Sequence, residues 1–185
     1  MKFILLDRDG VINRRIVDGY VTSWDRFVFL PRAMDGLRLL AEHGYAALVV
    51  SNQAAAAKGL ISPAELDAIT RRFLGEVEKE GGRIEGVYYC LHRPEDGCDC
   101  RKPKPGLLRR AQAEHGFSFQ ETFLLGDAES DLVAAASVGS PAIMISEDGE
   151  RFTHGSLRPL AILPSLYAAA EFVIAREAPK VTPGS

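Results

Sequence analysis

Short apolar runs alternate along this chain with stretches whose apolar positions recur every three or four residues. The runs at 2–7, 46–51, 86–90, 122–126 and 141–145 are nearly continuous in hydrophobicity, which suits parallel strands covered on both faces. Helical spacing appears at 33–43, 63–80, 106–115 and 130–138. A last helix at 165–177 should turn Leu166, Ala170, Val173 and Ile174 inward. The punctuation agrees with these bounds. Gly44, Gly116 and Gly139 follow three of the helices, where a left-handed residue closes the final turn. Ser62-Pro63-Ala64-Glu65 reads as a capping box with proline at the first helical position. Strand–helix alternation predicts an α/β fold: a doubly wound, Rossmann-like, mostly parallel sheet with helices on both faces. No insertion large enough for a cap domain interrupts it. Residues 8–31 form a long connection after the first strand, and long connections in compact domains are usually functional.

With 185 residues the chain is expected to fold as a single domain over 1–177, followed by a disordered tail at 178–185 that holds two prolines and a glycine. The net charge of −3, with both signs interspersed and no basic stripe, argues against a nucleic-acid partner. No apolar run approaches the ~20 residues that span a bilayer, and Asp7 arrives too early for a secretory leader. A cytoplasmic protein is therefore expected, and a monomer, since no long exposed apolar helix stands out.

The candidate chemistry sits where the predicted strands end. Phe3 to Leu6 runs into Asp7-Arg8-Asp9-Gly10, which keeps two carboxylates on one side of an extended chain and then permits a tight turn. One carboxylate can attack or bind a divalent cation, and the other can give and take a proton; that pairing suits phosphoryl chemistry. The second strand ends in Ser51-Asn52-Gln53, whose hydroxyl and amides can donate to phosphate oxygens. The fourth ends in Gly126-Asp127. Asp127 is a candidate further oxygen ligand for Mg²⁺, and Asp131 stands near a helix start, where a carboxylate is favoured. Arg101-Lys102-Pro103 supplies cations on a stiff loop.

All three cysteines fall within eleven residues, as Cys90-Leu91-His92 and Cys98-Asp99-Cys100. Three thiols and an imidazole at this spacing make a poor disulfide framework and a good tetrahedral zinc site. Four protein ligands leave no open position, so this zinc is expected to be structural, rigidifying the loop that leads into Arg101 and Lys102.

Taken together, Asp7-Arg8-Asp9-Gly10-Val11-Ile12, Ser51-Asn52-Gln53, Lys102 within Arg101-Lys102-Pro103, and Gly126-Asp127 with Asp131 resemble the four motifs of the haloacid dehalogenase superfamily of phosphatases, in order and over nearly the whole chain. The zinc-type loop resembles a branch that acts on heptose bisphosphates or on histidinol phosphate. Val11-Ile12-Asn13, Gly19-Tyr20-Val21 and Lys104-Pro105-Gly106 resemble the heptose enzymes. The resemblance implies Asp7 as nucleophile and Asp9 as acid and base. It implies Mg²⁺ held by the carboxylates of Asp7 and Asp127 and the backbone carbonyl of Asp9. It further implies phosphate binding by Ser51, Asn52, Gln53, Arg101 and Lys102, and Asp131 orienting Lys102 or a metal-bound water. The implied substrate is a small phosphorylated sugar, with Arg14, Arg15 and Lys58 as candidates for its second phosphate or hydroxyls. Arg8 is expected to lie outside the pocket. Where the heptose enzymes usually read Ser-Gly-x-Ala-Arg-Gly after the second motif, this chain has Ala54-Ala55-Ala56-Ala57-Lys58-Gly59, and Ala128 replaces a common lysine. Histidinol-phosphate hydrolysis and a phosphoacceptor signalling domain are the alternatives.

Overall fold

A computed structural model describes residues 1–149 and 152–177, the side chain of Glu177 excepted. Six parallel strands, β1 (Lys2–Leu6), β2 (Tyr45–Asn52), β3 (Ile84–Cys90), β4 (Leu124–Gly126), β5 (Ala142–Ile145) and β6 (Ala161–Leu163), form one sheet in the order β3-β2-β1-β4-β5-β6. Five helices connect or cover them: α1 (Ala33–Glu42), α2 (Pro63–Lys79), α3 (Gly106–His115), α4 (Glu129–Val138) and α5 (Leu166–Glu177). Five strands match the apolar runs. The sixth, Ala161–Leu163, was not expected; it is a three-residue edge strand, only partly buried, that pairs with β5 alone. The expected tail at 178–185 lies outside the described residues.

Side-chain alternation along the strands divides the core. Ile4 and Leu6 of β1 face a cluster with Leu37 of α1, Phe73 of α2 and Val173 of α5, while Leu5 faces Leu108 of α3 and Ala135 of α4. Helices therefore cover both faces, which is why the strands read as continuous apolar runs rather than alternating ones. Each large aliphatic side chain taken fully out of water here contributes roughly 1.5–3 kcal/mol. Leu166, Ala170 and Val173 of α5 are buried as expected, with Ala169 beside them; Ile174 is only half-buried.

The local signals behave as their chemistry requires. Ser62 caps α2 by accepting from the Glu65 backbone N–H, and Glu65 returns the bond to the Ser62 N–H at 2.8 Å. The connection 8–31 is pinned by aromatic packing: Phe27 stacks on Phe73 of α2 and on Trp24. It thus forms a fixed wall over the ends of β1 and β4. The strand order reverses between those two neighbours, since β1 leads to β2 on one side and pairs with β4 on the other. In open α/β sheets a crevice opens at this point.

Candidate active site

A cavity of about 920 Å³ opens over the carboxyl ends of β1, β2 and β4, with Asp7, Asp9, Ser51, Asn52, Lys102 and Asp127 in its lining. Arg101, Arg15 and Lys58 line it as well. A smaller cavity of about 450 Å³ between α2 and β3 holds none of the candidate catalytic groups.

Asp7 leaves β1 nearly buried, and its Oδ1 accepts from the Arg8 backbone N–H at 2.7 Å. Lys102 is 3% exposed; its Nζ lies 3.2 Å from Asp7 Oδ1 and 2.5 Å from Asp131 Oδ1. Burial opposes the lysine's charge, but Asp131 and Asp7 outweigh it, and its pKa moves upward. Burial raises the Asp7 carboxyl, with Lys102 the main opposing influence. The other oxygen of Asp131 accepts from the backbone N–H groups of Asp127 and Ala128 at 3.2 and 3.1 Å, closing the first turn of α4. Asp131 therefore ties the fourth motif to the third and has no exposed surface of its own.

Asp7, Asp127 and Asp131 place carboxylate oxygens within 4.8 Å of one another. Burial, then Asp7 and Asp131, push the Asp127 carboxyl up to about 7, against the pull of Arg15, whose Nη1 sits 3.1 Å from Asp127 Oδ2. Asp7 and Asp131 thus share one buried ammonium, while Asp127 is paired with Arg15. Hard oxygen donors with unbalanced negative charge fit a cation such as Mg²⁺. Two glycines make the crowding possible. A Cβ on Gly10, whose φ is +90°, would lie 1.9 Å from Asp127 Oδ2, and one on Gly126 would lie 2.3 Å from the Asp131 Cβ.

The second and third motifs are fastened to each other. Asn52 Nδ2 donates to the Lys102 carbonyl at 3.0 Å, and its Oδ1 accepts from the Lys102 N–H at 3.0 Å. The Asn52 amide thus holds the lysine's main chain. Gln53 is turned away from the cavity lining; its Nε2 donates to Asp9 Oδ2 at 2.6 Å and to Ser51 Oγ at 3.2 Å. Arg101 stays at the rim, with Nη1 3.4 Å from the His92 carbonyl.

Beyond the end of β3, Cys90, His92, Cys98 and Cys100 converge, with no disulfide among them. The sulfur–sulfur separations are 3.6, 3.2 and 3.5 Å, and His92 Nδ1 is 3.2 Å from Cys100 Sγ. Tetrahedral zinc with ~2.3 Å bonds to sulfur sets sulfurs roughly 3.8 Å apart, so the donor set fits. Burial and the neighbouring Cys100 push the Cys90 thiol up to about 12, a group that a cation rather than water would ionise.

Several functional contacts escaped the sequence reading. Arg8, though outside the cavity lining, is fully buried and grips Asp9. Asn13 donates to Asp9 Oδ1 at 2.7 Å, and Arg15 pairs with Asp127. An arginine between two acids at the end of a buried strand was the available signal, since a buried guanidinium must find an anion.

Residues 99–169 match the HAD-hydrolase-like family. The chain is 38% identical over 152 residues to the D-glycero-beta-D-manno-heptose-1,7-bisphosphate 7-phosphatase of Pseudomonas putida, spanning 82% of this chain and 86% of that one. It is 32% identical over 180 residues to the enzyme of the same name from Yersinia pestis, spanning 90% and 95%. Among solved structures, the D,D-heptose 1,7-bisphosphate phosphatase of B. bronchiseptica, complexed with magnesium and phosphate, superimposes with a TM-score of 0.85 at 30% identity, covering 95% of this chain and 99% of that one.

Proposed function

The chain belongs to the haloacid dehalogenase-like phosphatases, and from that premise we propose that it removes the 7-phosphate of D-glycero-D-manno-heptose 1,7-bisphosphate through a phosphorylated Asp7. The observation that carries the reading is the buried Lys102 ammonium shared by Asp7 and Asp131 at the floor of the cavity. A carboxylate nucleophile placed beside a fixed cation is what phosphoryl transfer needs from a protein. The identity to heptose bisphosphate phosphatases supports the sugar. So do Arg15 and Lys58, cations in the lining beyond those that hold the reacting phosphate.

In the proposed reaction a carboxylate oxygen of Asp7 attacks phosphorus in line as the bond to the sugar oxygen breaks. Asp9 gives that oxygen its proton. Water then attacks the phosphoenzyme, Asp9 takes the proton back, and phosphate leaves with Asp7 restored. Lys102, Ser51 and Arg101 hold the transferring oxygens. Asn52 acts through Lys102, whose main chain it fastens, and Gln53 acts through Asp9. Asp7, Asp127 and the Asp9 carbonyl would hold Mg²⁺, which neutralises charge on the phosphate when bound. Asp131 keeps the lysine in place. Cys90, His92, Cys98 and Cys100 hold a structural Zn²⁺. The same reading places the protein in the cytoplasm as a monomer.

The test is phosphate release with Mg²⁺ across sugar bisphosphates, both heptose anomers and histidinol phosphate. Heptose bisphosphate should exceed its monophosphate in kcat/KM by at least ~10-fold, roughly one charge-assisted contact to the second phosphate. Equal rates on the two, or a preference for histidinol phosphate, overturns the sugar assignment. A phosphoenzyme that forms and persists without turnover would instead identify a phosphoacceptor domain.

A further inference from the structure

Arg8 has no exposed surface, yet it carries a charge. Its Nη2 lies 3.0 Å from both carboxylate oxygens of Asp9, and its Nε lies 3.3 Å from Oδ1. Asn13 Nδ2 reaches Oδ1 at 2.7 Å and Gln53 Nε2 reaches Oδ2 at 2.6 Å. Donors from three side chains thus converge on one carboxylate that still lines the cavity, its side chain 25% exposed.

The guanidinium is itself held. It lies between the rings of Phe27 and Tyr89, at 5.7 and 5.6 Å from their centroids. Its Nη1 is 3.5 Å from the Tyr89 hydroxyl, which is 3.2 Å from Thr70 Oγ1 on α2. A buried ion pair rarely repays its desolvation relative to an apolar pair of similar volume, so stability alone does not account for the guanidinium here. What the guanidinium adds is geometry: its planar fork fixes both oxygens of a carboxylate, which a point charge such as lysine cannot do.

We propose that Arg8 is a positioning residue for proton transfer: with Asn13 and Gln53 it fixes the rotamer of Asp9, so that the free edge of the carboxylate faces the reacting atoms. The inference rests on the phosphatase reading above. It divides the reaction into a part that depends on Arg8 and a part that does not. With an aryl phosphate, the bond to the aryl oxygen breaks as the bond from Asp7 to phosphorus forms, and the stable nitrophenolate departs with the electron pair and needs no proton. Hydrolysis of the phosphoenzyme does need Asp9, which accepts a proton from the attacking water as the Asp7–phosphorus bond breaks.

The experiment uses the full-length, zinc- and Mg²⁺-loaded protein with 4-nitrophenyl phosphate, in wild type, Arg8→Lys and Arg8→Met. Nitrophenolate release with enzyme in excess reports the first part, and steady-state turnover reports the second. We expect both variants to release nitrophenolate within ~3-fold of wild type, while steady-state turnover falls by at least ~10²-fold, the size of a lost acid–base contribution. Gln53→Met, which removes one donor and leaves Arg8 in place, should show the same split with a loss of roughly 10-fold. It serves as the readout if the Arg8 variants do not fold. Equal slowing of both phases, or of neither, overturns the proposal. Asp7→Asn separates this from the phosphatase reading itself. If it keeps near-normal turnover, that reading fails; if it is inactive while Arg8 and Gln53 variants slow both phases equally, only the positioning role fails.

Discussion

Replacing Gly10 by alanine should abolish tight Mg²⁺ binding while leaving the fold intact. The added Cβ would lie 1.9 Å from Asp127 Oδ2, 2.2 Å from its Cγ and 2.8 Å from its Cβ. Comfortable contact between such atoms begins near about 3.5 Å, so the carboxylate must retreat by roughly 1.5 Å. Mg²⁺ accepts little distortion of its ~2.0–2.1 Å octahedral bonds. A displaced carboxylate is therefore a lost ligand, and we expect the Mg²⁺ midpoint for phosphate release to rise at least ~100-fold, the upper end for changes that merely weaken support of a ligand. The backbone contributes a separate effect, since φ at Gly10 is +90° and a side chain there costs about 1–2 kcal/mol. In a domain of this size that lowers Tm by roughly 2–8 °C. Gly44→Ala is the control. Gly44 also has positive φ, +80°, but a Cβ there meets nothing within 4 Å, so it should lose similar stability and keep its Mg²⁺ midpoint. Calorimetric Mg²⁺ titration and metal-dependent phosphate release measure both. A Gly10→Ala protein with the wild-type midpoint would refute the crowding argument and the place of Asp127 in the cation site.

The carboxyl of Asp127, pushed up to about 7 by burial and by Asp7 and Asp131, binds its proton more tightly folded than unfolded. Protein without Mg²⁺ should therefore lose stability as pH rises from about 4 to about 7, by up to about 4 kcal/mol, and Mg²⁺ should raise Tm more near pH 7.5 than near pH 5; an equal shift at both would contradict this. Cys98→Ser should lose its zinc by metal analysis and lower activity without removing the nucleophile, whereas zinc retained at one per chain would exclude Cys98 as a ligand. Asp7→Asn should abolish turnover, because a carboxamide forms no phosphoenzyme. Asp9→Asn should slow it by at least ~10²-fold, and mass spectrometry of quenched reactions should find phosphate on Asp7 in that variant.

Most of the fold was legible because buried parallel strands and capped helices leave local marks. Ser62 through Glu65 announced α2, and Gly116 and Gly139 closed α3 and α4 in left-handed conformations as their positions suggested. β6 left a weaker mark: Leu160 to Leu163 is a run of only four apolar residues between Pro159 and Pro164, and its strand pairs with β5 alone. In the site, strand-end residues were legible because topology sends every parallel strand's carboxyl end to one edge. Partnerships across the fold were not. Asn52 reads as a phosphate donor until the Lys102 main chain lies against it, fifty residues away. Arg8 reads only as a residue outside the pocket, and nothing near it in sequence shows that Phe27 and Tyr89 flank it. The pattern of a single segment carries no record of what another segment brings.

The reciprocal amide pair between Asn52 and Lys102 has a kinetic consequence. It joins the end of β2 to the loop that delivers the ammonium, and Arg93 makes a second tie, donating to the Ala57 carbonyl at 2.9 and 2.7 Å. The cation's loop is thus tied to β2, which pairs with β1, the strand that carries the nucleophile. Enzymes that assemble their site by closing a lid often turn over at the rate of that closure. Here the charges around phosphorus stand ready before substrate arrives, and solvent viscosity should slow turnover only through the diffusion of substrate in and phosphate out.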